Sequence, residues 1–105
     1  GITEQKAKEE QLEYHVGKFP FAASGKAIAL GETEGFIKLI VSEHGEILGA
    51  HLIGHEVTEL LGELSLANLL EGTTEETGWL VHSHPSISEV IKEAALQAEG
   101  KAIHI

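Results

Sequence analysis

The sequence predicts an α+β fold, an antiparallel β-sheet with helices packed on one face, and three observations predict it. The β-prone segments come first and the helix-periodic ones last, an order that favours separate sheet and helix layers. Near residue 56 the apolar spacing changes from alternate positions to i, i+3, i+4, i+7, the signature of a helix with one buried face. The GxGxxG fingerprint and the phosphate-cradling loops of alternating β-α nucleotide-binding folds are missing.

The 105 residues suit one domain. All seventeen acidic residues are Glu, set against seven Lys and no Arg, for a formal charge of -10. Phosphate binding needs clustered cations, so this balance argues against nucleic acid as a partner. No apolar run approaches the roughly 20 residues of a membrane-crossing helix. The absence of Cys excludes disulfides, thiolate catalysis and thiolate metal sites within the chain. There is no Met, and a start at Gly1 fits a fragment excised from a longer protein as well as it fits a processed or cloned chain. Nothing at the start resembles a signal peptide.

Taken in order, residues 1–11 (GITEQKAKEEQ) read as a short surface helix capped by Thr3, or as an incoming linker. LEYHVGKFPF (12–21) carries β-prone Tyr14, Val16 and Phe19, with Pro20 suited to a strand end. AASGKAIALGETEG (22–35) reads as a loop with one helical turn. FIKLIVSEHGEILGAHLIG (36–54) predicts a hairpin about Gly45, with Ile37, Leu39 and Val41 on one face of its first strand. Leu48, Ala50 and Leu52 share a face of the second, and Gly49 in mid-strand implies close approach of another segment.

A mostly buried helix is expected from Glu56 to Glu71, on the stripe Val57, Leu60, Leu61, Leu64 and Ala67 widened by Leu66, Leu69 and Leu70, with Gly72 as its stop. Thr73 and Glu76 form a capping box for a short helix reaching His82. Ser86 and Glu89 form a second box for a last helix that buries Ile87, Val90, Ile91, Ala94, Ala95 and Ala98 and ends at Gly100. KAIHI suits a closing strand.

VHSHPSISEV (81–90) is where chemistry concentrates, and its residues leave three readings open. His82, His84 and Glu89 can be polar residues at a helix junction, Glu89 favouring the positive end of the helix dipole. His82 and His84, with His44, His51 or His55, can offer imidazoles to zinc, although HxH spacing alone is a weak signal. Alternatively His84 is a general base: Glu89 accepts a hydrogen bond from one ring nitrogen, fixes the tautomer and leaves the other nitrogen free to take a proton. A base without a nucleophile in its own chain suggests half of an active site.

HSHPSISE resembles the HxHPTxSE signature near the C-terminus of the dihydrolipoyl dehydrogenases, flavoprotein disulfide reductases of the pyridine nucleotide-disulfide oxidoreductase family. GITEQKAKE, KFPFAASGKAIAL, TEGFIKLIV, GEILGAHLIG, TELLGELSLA, LEGTTEE, EAAL and KAIHI are similar, in order, to that family's terminal domain. The resemblance implies that 1–11 is a linker from an upstream flavin domain and 12–105 a dimerisation domain of a homodimer. It implies that His84 takes a proton from a dihydrolipoyl thiol for the partner subunit's disulfide, that Glu89 orients His84, and that His82 and Pro85 support them, the peptide bond before Pro85 being cis. FAD and NAD would bind upstream domains, with no metal and no cofactor on this fragment beyond a backbone contact of His84 to the partner's FAD. The fragment alone would be inactive. Lipoyl-bearing subunits of 2-oxo acid dehydrogenase complexes would be partners, in a cytoplasm or a mitochondrial matrix.

The sequence departs from the family pattern at Ser86, in place of Thr, at Gly78 and Trp79, and in AASGKA, which lacks the usual Asn and Arg. Glutathione reductases share the histidine, proline and glutamate but usually lack the first histidine and carry a small polar residue where Ile87 stands. The expectation is therefore lipoamide. The alternatives are a glutathione reductase-like parent, or a stand-alone metal-binding or interaction domain.

Overall fold

Alternating apolar side chains draw three segments into an antiparallel sheet of order β1-β2-β3: β1 (Tyr14–Pro20), β2 (Gly35–Ser42) and β3 (Ile47–Gly54). A computed structural model describes residues 1–99, so the expected stop at Gly100 and the strand expected for KAIHI lie outside the described residues. β2 and β3 form the anticipated hairpin, and Gly45 in its turn has φ 87°. Ile37, Leu39 and Val41 are all buried on one face. The expected pattern on β3 holds for Ala50 and Leu52 but not for Leu48. The register shifts between Ile40 and Val41, so Val41 pairs with Ile47, and Ile47 packs against the core in the place expected of Leu48. One inserted residue is enough to switch faces, because side chains alternate along a strand.

The principal helices cover one sheet face, as the class requires. Val90, Ile91, Ala94 and Ala95 of α5 (Glu89–Ala98), with Leu60 and Leu64 of α3 (Val57–Leu69), join Phe19, Ile37, Leu39 and Val41 in one buried cluster. α5 crosses β1 closely at Gly17, where a Cβ would collide with the Ala94 carbonyl oxygen.

The reverse face is not bare. α1 (Glu4–Glu9), capped by the Thr3 hydroxyl, docks there through a 2.8 Å ion pair between Glu4 and Lys38 and a hydrogen bond from the Tyr14 hydroxyl to Glu4. The Ile2 N–H donates to the Leu48 carbonyl at 3.1 Å, and His51 Nε2 donates to the Ile2 carbonyl at 2.9 Å. Gly49 permits this: a Cβ there would strike the Ile2 carbonyl.

Several boundaries differ from those expected. The glycine-rich segment after β1 forms a 3-10 turn at Phe21–Ala23 and then α2 (Gly25–Leu30), capped by the Ser24 hydroxyl and closed by Gly31 at φ 73°. α3 ends before Gly72, because Glu71 itself takes the left-handed conformation at φ 59°. Nor is α3 mostly buried: Leu60 and Leu64 face the core, whereas Leu61, Leu66, Leu69 and Leu70 are exposed. α4 (Thr74–Trp79) has the Thr73–Glu76 capping box but stops short of His82. No helix among the described residues is long and apolar enough to cross a membrane.

Candidate functional site

Two elements converge on the histidine segment. α5 is rigid because its inner face is buried against β1 and β2, and its first residue is Glu89. The expected second capping box is only half present. The Ser86 N–H donates to Glu89 Oε1 at 2.9 Å, but the Ser86 hydroxyl turns back to the Ser83 carbonyl at 2.6 Å. α5 therefore begins at Glu89, two residues later than a cap at Ser86 would start it.

The peptide bond between His84 and Pro85 is cis. The His84 ring lies beside Glu89, with Nδ1 at 3.1 and 3.0 Å from the two carboxylate oxygens. A carboxylate only accepts, so Nδ1 carries the hydrogen, and in the neutral ring Nε2 holds the free lone pair. Burial by itself pushes the Glu89 carboxyl up, but the Ser86 N–H and the His84 ring outweigh it and hold Glu89 below its ordinary value. Glu89 is thus ionised at neutral pH, as an orienting acceptor must be. The His84 side chain is 81% exposed and that of Glu89 is 34% exposed. Beside the pair opens a cavity of about 240 Å³ walled by Phe19, Ala23, Ser24, Pro85 and Val90.

His82 does not share this site's surface. Its side chain is only 4% exposed and turns to α3, where Nε2 lies 2.9 Å from both oxygens of Glu63. Sequence reasoning missed Glu63. Its signal was faint: a carboxylate between Leu60 and Leu64, on the edge of the buried stripe and nineteen residues from its partner.

The other histidines considered as metal ligands are scattered. His51 bonds the Ile2 carbonyl, His44 pairs with Glu43, and His55 sits between Glu32 and Glu56. Among the described residues no group of three or more potential ligands is placed to hold a metal ion.

Residues 1–95 match the family described as pyridine nucleotide-disulphide oxidoreductase, dimerisation domain. The chain belongs to this family. It is 48% identical over 105 residues to the dihydrolipoyl dehydrogenase of Bacillus subtilis (strain 168), an alignment covering 99% of this chain and 22% of that protein. It is 50% identical over 105 residues to the dihydrolipoyl dehydrogenase of Rhizobium etli, with the same coverage of each. The chain therefore spans about a fifth of the length of these curated relatives. Among solved structures, the Cu(II) complex of the HOCl-induced flavoprotein disulfide reductase RclA from Escherichia coli superposes with a TM-score of 0.88 at 26% identity, over 92% of this chain and 22% of that one. LpdA from Mycobacterium tuberculosis gives 0.84 at 20% identity, over 92% and 21%, which shows the shared fold.

Proposed function

We propose that this dimerisation domain serves a dihydrolipoyl dehydrogenase, in which His84, oriented by Glu89, is the general base for the active site of the partner protomer. One observation carries the reading: a carboxylate on a helix packed against the sheet holds an exposed imidazole by Nδ1, which makes Nε2 the lone-pair nitrogen of the neutral ring. The names of the relatives support the substrate class.

In the reaction, Nε2 accepts the proton of a dihydrolipoyl thiol, and the resulting thiolate attacks a disulfide sulfur of the partner. A new S–S bond forms as the old one breaks and releases the second cysteine thiolate. The imidazolium so formed is stabilised by the Glu89 carboxylate. Neither the disulfide nor a dinucleotide fingerprint is in this chain, so the flavin domain of the second protomer supplies the former and upstream domains hold FAD and NAD. The second dihydrolipoyl thiol, deprotonated in turn, attacks the mixed disulfide, which closes the oxidised lipoyl ring and leaves the partner's two cysteines reduced; FAD and NAD+ on the upstream domains would supply the electron acceptors for that dithiol. The working unit is a homodimer serving lipoyl-bearing subunits of 2-oxo acid dehydrogenase complexes in a cytoplasm, and the chain without its upstream domains is inactive.

The test is His84→Gln in the enzyme that contains this domain with its flavin and nicotinamide domains. The lipoamide reaction should fall by about 10²–10⁴, the usual contribution of a positioned base. Ferricyanide reduction by NADH, which needs no thiol proton transfer, should persist. Near-normal lipoamide turnover, or a preference for glutathione disulfide, would overturn the reading.

A further inference from the structure

We propose that His82 and Glu63 form a positioning pair that locks the segment carrying His84 onto α3; the inference rests on the general-base reading above. His82 is an almost wholly buried polar ring, and a residue present only to fill that space would be apolar. Its Nδ1 is buried without a hydrogen-bond partner, so its placement carries an unfavourable term that the Glu63 contact must offset. Both carboxylate oxygens of Glu63 lie 2.9 Å from Nε2, so the ring N–H points between them into the carboxylate.

The location gives that fixation a use. Between the end of α4 and the start of α5 the chain has no regular structure, and His84 stands in the middle of it. On the downstream side His84 is held by Glu89 and by the Ser86 bonds. On the upstream side, two residues away, the tie to another element is His82 to Glu63. α3 is a firm anchor, because Leu60 and Leu64 flank Glu63 and are buried in the core. Clamped at both ends, His84 keeps its ring on Glu89 without needing regular structure of its own. A displacement of about 1 Å at a reacting group can cost on the order of 10²-fold in rate.

The experiment uses the full enzyme, with lipoamide turnover and NADH–ferricyanide reduction measured side by side. His82→Ala and Glu63→Ala should each lower lipoamide kcat about tenfold and leave ferricyanide reduction unchanged. The double variant should lose no more than either single one, since both remove the same tie. His82→Gln, whose amide nitrogen can stand where Nε2 stood, should stay within about threefold of the parent. A loss of folded enzyme would instead lower ferricyanide reduction in step with lipoamide turnover, and His82→Gln would not restore the loss. Should His82→Ala fail to fold, Glu63→Ala carries the same comparison, since it places a strong helix former at a half-exposed position of α3. Full lipoamide turnover in Glu63→Ala, or additive losses in the double variant, would overturn the pairing while His84→Gln remained inactive. An active His84→Gln would instead defeat the base assignment itself.

Discussion

Leu69, the last residue of α3, and Leu70 just after it are 77% and 70% exposed, and Leu66 and Leu70 share a surface groove with Leu80, which follows α4. So much uncovered aliphatic surface on two adjoining elements fits an interface with a second copy, and replacing both leucines by lysine tests it. Complete burial of a leucine side chain is worth about 1.5–3 kcal/mol, so covering the exposed fraction here contributes about 1–2 kcal/mol per residue. Across a two-fold dimer four such side chains are affected, for a total of about 4–8 kcal/mol. At 1.4 kcal/mol per tenfold, the dissociation constant should rise by about 10³–10⁶. The protomer itself should keep its stability within about 0.5 kcal/mol per site, because neither side chain touches its core. Sedimentation velocity of the full enzyme over a dilution series reads the first quantity and urea unfolding reads the second. An unchanged dimer dissociation constant would refute the placement of the interface on α3. A large fall in protomer stability would show that these leucines serve the protomer and not the dimer.

Two further outcomes follow from the geometry of the fold and of Glu89. Gly17→Ala should destabilise the domain by about 3 kcal/mol, the upper end of overpacking costs; the new Cβ meets the Ala94 carbonyl on a buried helix that cannot withdraw, and a lowered urea midpoint with unchanged slope would show it. Glu89 has a folded pKa lowered from 4.5. Its stabilising contribution is therefore complete above that value and is lost as the pH falls through the folded pKa. The stability difference between the parent and Glu89→Gln should be constant at neutral pH and shrink below about 4.5, and a difference that grew on acidification would contradict the sign.

The sheet and the last helix were legible because each has a single dominant signal. Alternation fixed Ile37, Leu39 and Val41, and the stripe from Val90 to Ala95 needs one helical face and one sheet to bury it. Legibility failed where a residue's fate depends on a distant partner. Leu48 falls on the face of Ala50 and Leu52 only if alternation runs through an unbroken register, and a bulge is set by the pairing of β2 with β3 and not by β3 alone. α3 was read as buried because a wide leucine stripe looks the same whether its outer half meets its own domain or another chain. The capping box at Ser86 needs its hydroxyl to accept from a helix N–H, and that hydroxyl instead donates to the Ser83 carbonyl. At the candidate site, His84 and Glu89 lie five residues apart and their encounter follows from local chain geometry. Glu63 comes to His82 only through the packing of α3, which no short motif encodes.

The exposure of His84 ties these threads together. An imidazole and a carboxylate in contact with water attract each other weakly, typically by about 0–1 kcal/mol, so this pair does little to stabilise the domain. The same contact strengthens severalfold once a low-dielectric surface excludes water around it. The described residues supply a wall of such an enclosure, with Phe19, Pro85 and Val90. The chain supplies no cysteine. On the function proposed above, an imidazole on an open surface, beside such a wall and without a nucleophile in its own chain, would become chemically useful when a second body closes over it. Under that proposal the exposed leucines at the end of α3 and the exposed ring of His84 answer to one event, since a protomer that covered the first would also bring the site that needs the second.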